Sequence, residues 1–166
     1  MIKEAGTAGS SNVAHSDHLA EYAFLDAPGK YWKGSNIYPQ YIWFHFSTPH
    51  ILGGIGFTVH RNAFAPKDFE VVGSNDCSNW KPLLEAENPG YPEDSGPHGT
   101  GPEDKYDPPE DFEEGLFKFW HTRETSRVPY ECFGLKIYSV RFGDIPEVKN
   151  ITMWEVMEEG GDWGDK

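Results

Sequence analysis

The sequence predicts an all-β fold, an antiparallel β-sandwich, and three observations carry that prediction. Apolar residues alternate with their neighbours in short runs, clearest in Ile42, Phe44, Phe46 and in Ile55, Phe57, Val59, which is the period of a pleated strand with one buried face. These runs are separated by clusters of Gly, Pro and Asn, and from Glu21 onward no window sustains an apolar face at helical spacing; the one short candidate, His18 to Leu25, is too brief to carry a fold. The aromatic content of 15% falls within the alternating runs, as in a sandwich whose core is filled by Phe, Tyr and Trp.

Taken in chain order, residues 1–14 are small and polar and are expected to form a flexible lead-in, with His15 and His18 solvated and not a metal pair. Strands are expected at Tyr41 to Phe46, Ile55 to His60, Phe69 to Ser74, Leu116 to His121, Phe133 to Val140 and Ile151 to Met157. Ser74 to Asn79 supplies short polar side chains that bond their own backbone, and Trp80 restarts the apolar pattern before Pro82, so Pro66 to Leu84 reads as a hairpin. Residues 88–114 are crowded with Pro, Gly, Asp and Glu and cannot fold as core. They read as a solvated insertion; the competing reading is an acidic arm for a basic partner or for divalent cations, pinned by Tyr91, Tyr106 and Phe112. Residues 159–166 read as a second flexible end, which leaves a single domain over 15–158, and 166 residues suffice to bury a core without staples.

Composition narrows the function classes. A formal net charge of -13 disfavours nucleic acid and anionic membrane surfaces, whose binders need Lys and Arg to release counterions. No run approaches the ~18 apolar residues of a bilayer span. The N-terminal residues hold no apolar segment of the secretory kind, so a cytoplasmic chain or an excised domain is expected. Cys77 falls in a turn and Cys132 at a strand start, so a disulfide between them is allowed but not indicated. No phosphate-cradling glycine loop, paired-cysteine or paired-histidine metal motif, or nucleophile elbow is present, and a non-enzyme is expected.

Five segments in order resemble the discoidin family, the coagulation-factor V/VIII type C domains of the galactose-binding-like class. Phe24-Leu25-Asp26 with Trp32 resembles its early aspartate-to-tryptophan loop, and Tyr41 to Phe57 resembles its strand, turn and glycine-bearing strand. The run ending Gly73-Ser74-Asn75-Asp76, followed by Asn79-Trp80 and Pro82-Leu83-Leu84, resembles its central hairpin. Phe133 to Val140 resembles its penultimate strand, and Ile151 to Val156 its closing strand ending on a glutamate. The resemblance implies a jelly-roll topology and a buried Trp32. It also implies a structural calcium ion held by Asp26 and Glu155, although Pro28 to Tyr31 stands where the family's threonine would supply another oxygen, and calcium wants six to eight. The other reading of Glu155 is a carboxylate bonded to loop backbone N–H groups. The family's extracellular members commonly join their two ends by a cysteine pair, and neither cysteine here lies near a terminus.

Candidate ligand residues follow from residue type. His60, Arg61, Asn62 and Phe64 share one strand-exit loop, and planar donors and acceptors beside an aromatic ring suit sugar hydroxyls and the apolar face of a pyranose. The bland alternative is that Arg61 pairs with a surface carboxylate while Asn62 shapes a turn. Asn36 and Tyr38 in Lys33 to Gln40, and His121 and Arg123 in Trp120 to Arg127, are conjectured to converge on the same end; Trp43, Trp80 and Trp154 default to packing. The expected function is a non-catalytic recognition module that binds a galactose-like glycan or a protein surface through loops at one end. The alternative is a structural or assembly subunit that binds a partner protein through the sandwich and the acidic loop.

Overall fold

The computed structural model describes residues 2, 4–11, 18–25, 29–58, 64–87, 117–119, 128–140 and 143–155, with backbone alone over 84–87 and 117–119. Nine strands are described: β1 (Gly6–Ser10), β2 (Trp32–Lys33), β3 (Gln40–His50), β4 (Leu52–Thr58), β5 (Pro66–Ser74), β6 (Lys81–Glu87), β7 (Phe117–Phe119), β8 (Tyr130–Val140) and β9 (Glu147–Glu155). They form a five-stranded sheet in the order β1-β3-β8-β5-β6 and a four-stranded sheet in the order β2-β9-β4-β7, with every pairing antiparallel. The non-sequential neighbours in both sheets are those of a jelly roll. A 3-10 turn, Ala20–Phe24, takes the place of the short helical candidate and buries Ala23.

Inward positions of the two sheets interlock. Ile42 and Phe46 of β3, Phe69 and Val71 of β5, and Phe133, Leu135 and Ile137 of β8 meet Ile55 and Phe57 of β4 and Val148, Ile151 and Met153 of β9. Trp32 is fully buried among them. Phe57 and Phe69 touch edge to face across the sandwich, 5.8 Å between centroids at 72°, the arrangement that ring quadrupoles prefer.

Two features depart from expectation. The lead-in is not featureless: Gly6–Ser10 pairs with β3 from Gly6↔Phe46 to Ser10↔Ile42. A Cβ at Gly6 would lie 2.6 Å from the Phe44 ring and one at Gly9 2.5 Å from the Trp43 ring, so small residues fit this edge because large neighbouring rings lie over it. Cys77 and Cys132 form a disulfide with Cα atoms 5.7 Å apart, which corrects the expectation that no bridge was indicated. The bridge joins the β5–β6 turn to β8, and its partners, 55 residues apart in sequence, become neighbours only once β8 lies beside β5. Strand limits also move: β3, β5, β8 and β9 begin earlier than the alternation suggests, while Val59, His60, Leu116, Trp120, His121, Val156 and Met157 lie outside the described residues, as do all of the 88–114 insertion and all of 159–166.

Registers define two ends. At the first, here called the rim, β3, β5 and β9 begin and β4 and β8 finish, with Gln40 opposite Ile137, Pro66 opposite Val140 and Thr58 opposite Lys149. At the other, the base, His50 lies opposite Tyr130 and Leu52 opposite Glu155. A three-residue clasp closes the base. His50 places Nδ1 2.6 Å from Glu155 Oε2 and Nε2 2.7 Å from Glu4 Oε2, and Thr48 donates to Glu4 through its backbone N–H and its hydroxyl. Only a doubly protonated imidazole donates from both nitrogens. Burial pulls the His50 pKa down, but the hydrogen bonds and charges of the two glutamates outweigh it and the net shift is upward from 6.5. Hydrogen bonds from Ser47 and Thr48, set against a smaller opposing effect of burial, hold the Glu4 carboxyl down at about 2.

The signs of these shifts set a pH window. A raised histidine pKa stabilises the fold fully below the unfolded value near 6.5 and stops doing so as pH climbs through the folded value; a depressed glutamate stabilises above its ordinary 4.5 and stops as pH falls toward 2. The clasp is therefore tightest between about pH 5 and 6. His50→Gln is expected to abolish the alkaline part of the dependence, read as the difference between wild-type and variant melting temperatures across pH 4 to 9; a difference that stays constant over that range would disprove the linkage.

Candidate functional site

The rim gathers the connections β2–β3, β4–β5 and β8–β9. The first is organised by Gln40, the buried opening residue of β3, whose Oε1 accepts from the Ser35 backbone N–H at 2.8 Å while its Nε2 donates to the Ser35 carbonyl. Gly34 N donates to the Pro146 carbonyl at 3.0 Å, which ties this loop to the segment before β9, and the Tyr38-Pro39 peptide is cis. With its base fixed in this way the loop projects Asn36 and Ile37, and Ile37 is 65% exposed.

Tyr38 and Phe64 meet on one segment. Tyr38 Oη donates to the Asp144 carbonyl at 2.6 Å. Burial, reinforced by the Asp144 carboxylate, pushes the Tyr38 hydroxyl up to about 12, so it remains a proton donor throughout the physiological range. Gly143 has a φ of 83°, and a Cβ there would stand 2.9 Å from the Phe64 ring; glycine satisfies both the left-handed backbone and the close approach of the ring. The 143–146 segment thus brings together two sequence candidates from different loops. Sequence reasoning did not single out Gly143 or Asp144; the Phe-Gly-Asp run before Ile145-Pro146 is a turn signal that could have drawn attention to them.

His60, Arg61 and Asn62 lie outside the described residues, between Thr58 and Phe64, both of which belong to the rim side. His121 and Arg123 also lie outside them, and the strand that follows them, β8, starts at the base beside His50. Of the calcium pair, Asp26 lies outside the described residues. Glu155 is half exposed, with Oε2 2.6 Å from Nδ1 of the His50 ring.

A second set of side chains was assigned to packing and stands elsewhere. Tyr41 and Trp43 alternate out of phase with Ile42 and Phe44 and face outward from the five-stranded sheet, where Trp80 joins them at centroid distances of 5.8 and 5.6 Å. Trp43 and Trp80 are only partly buried, in contrast to the buried Trp32 and Trp154.

No protein-family model matches the chain, and no curated protein matches it. Solved structures do, and by fold. A Clostridium perfringens module in complex with GalNAc-β-1,3-galactose is 11% identical, with a TM-score of 0.63 over 89% of this chain and 94% of that one. Chitosan-binding module 1, derived from a chitosanase/glucanase of Paenibacillus sp. IK-5, is 15% identical with a TM-score of 0.61, covering 89% and 93%. The family 32 carbohydrate-binding module of C. perfringens NanJ, in complex with galactose, is 13% identical with a TM-score of 0.61, covering 89% and 92%. The chain has the galactose-binding-like jelly-roll fold of these modules, as the discoidin resemblance implied.

Proposed function

We propose that this jelly roll is a non-catalytic carbohydrate-recognition module whose rim loops hold a galactose-like glycan. The observation that carries the reading is the seating of Tyr38 and Phe64 on the 143–146 segment, which fixes a ring from each of two loops at one end. Between Thr58 and Phe64 the sequence adds His60, Arg61 and Asn62, a donor and acceptor set suited to adjacent hydroxyls, and Asn36 stands on the neighbouring loop. Support also comes from the fold neighbours, two of which are in complex with galactose or GalNAc-β-1,3-galactose and one of which is a chitosan-binding module. The reading assigns no catalytic step to this chain.

A glycan array run with and without calcium tests it, followed by titration of the best ligand into the double variant His60→Ala/Arg61→Ala. Affinity should fall at least about tenfold, because a hydrogen bond to a charged group contributes about 1.5–3 kcal/mol. Unchanged affinity would remove these residues from the site, and indifference to calcium would remove the ion. A second reading, an assembly surface for a basic protein partner, is favoured by one placement: β6 ends and β7 begins toward the rim, so the acidic insertion is rooted there. Deleting residues 88–114 separates the two, since glycan binding survives under the first reading and partner binding is lost under the second.

A further inference from the structure

We propose a second carbohydrate site, independent of the rim, in the groove between Trp80 and the Lys136–Glu70 pair on the outer face of the five-stranded sheet. The groove holds about 270 Å³ and is lined by Tyr41, Glu70, Asn79, Trp80 and Lys136 among others. That volume is near the lower limit of about 300 Å³ for small-molecule sites and suits one or two sugar rings on an open surface.

The groove is built and held. Its wall is the β5–β6 turn, which the Cys77–Cys132 bridge fastens to β8. Asp76 fixes the turn from within: Ser74 Oγ, the backbone N–H groups of Ser78 and Asn79, and Asn79 Nδ2 all donate to its carboxylate at 2.6 to 2.9 Å. The Trp43 ring, against which Trp80 leans, lies over Gly9, where a Cβ would come within 2.5 Å of that ring. Trp80 therefore reaches the groove on a support with little freedom to move, which lowers the entropic cost of stacking a ligand on it.

The floor carries hydrogen-bonding groups of both kinds. Glu70 and Lys136 are direct cross-strand partners, with Nζ 3.9 Å from Oε1. Tyr138 Oη donates to Glu70 at 2.5 Å, and the Lys136 ammonium sits over the Tyr41 and Tyr138 rings at 5.7 and 5.1 Å. A carboxylate accepts at about four lone-pair positions and an ammonium donates three hydrogens, so both retain capacity toward a ligand. Vicinal hydroxyls of a pyranose, each both donor and acceptor, match such a pair, while the Trp80 ring lining the groove beside them can meet the sugar's C–H surface. The opposite charges of Glu70 and Lys136 cancel locally, which favours a neutral sugar over an anionic one.

Lactose and cellobiose, titrated separately into the full chain, test the site, with the Trp80 indole N–H resonance as a local readout. At least one of them is expected to shift that resonance at concentrations up to about 10 mM. Lys136→Gln, an outward-facing change that leaves the core alone, should weaken the effect at least about tenfold, and Glu70→Gln should do the same. The rim variant His60→Ala/Arg61→Ala should leave the Trp80 shift in place, so failure of the rim reading and failure of this one are distinguishable. Silence of the Trp80 resonance with both sugars, or equal affinity in Lys136→Gln, overturns the proposal. So does displacement of the sugar by an acidic peptide at lower concentration, which would mark the groove as a peptide site.

Discussion

Replacing both Cys77 and Cys132 by alanine is expected to lower the unfolding free energy by about 4 kcal/mol, the chain-entropy value for a crosslink spanning 55 residues. The bridge joins a turn to a strand of the same sheet across the whole β6–β7 excursion, so without it the denatured chain regains the freedom of a long loop. The Asp76 hydrogen bonds are local, and they order the turn without anchoring it to β8. In urea, with a slope near 2 kcal/mol/M, the midpoint should fall by about 2 M, and reductant added to the wild type should reproduce most of the loss. A midpoint shift below about 0.3 M would mean that the bridge contributes no constraint. Alanine is the better probe because Cys132 is fully buried, where a serine hydroxyl would add a desolvation cost of its own.

Phe57→Ala should cost a similar amount, about 3–5 kcal/mol, for a different reason. Phe57 comes from the four-stranded sheet and Phe69 from the five-stranded one, and their edge-to-face contact is part of the seam between the layers. Both rings are essentially inaccessible, so truncation removes buried apolar area and leaves a cavity that two hydrogen-bonded sheets cannot collapse to fill. For a chain of this size the melting temperature should fall by about 10 °C, while Phe57→Leu should lose roughly a third of that. If Phe57→Leu melts with the wild type, the specific ring contact carries no weight beyond burial; if it melts with Phe57→Ala, buried apolar area alone does not carry the effect.

Much of the frame was legible because it rests on local pattern. Ile42, Phe44 and Phe46 alternate, and the alternation is the inner face of β3; the same holds for Phe133, Leu135 and Ile137 in β8. β1 was not legible because Gly-Thr-Ala-Gly-Ser has no apolar period, and its strand form comes from the exposed edge of β3. The disulfide was hidden for a related reason: register between β5 and β8, and not sequence spacing, sets the separation of the two sulfurs. The outer aromatic face was harder to recognise because Tyr41 and Trp43 interleave with Ile42 and Phe44, so the positions between the inward ones are aromatic as well. Among rim residues, loop composition pointed to Tyr38 and Phe64, but their common seat at Gly143 and Asp144 depends on a contact across more than a hundred positions.

The base clasp has a bearing on how the protein is handled. Because Glu4 and Glu155 share one histidine, the first and last described strands are stitched together at the pole opposite Tyr38. Ile2, which donates its backbone N–H to the Met153 carbonyl, and Glu155 therefore both lie in the hemisphere remote from the rim loops. A surface that captures the protein through that hemisphere should leave the Tyr38 end pointed into solution.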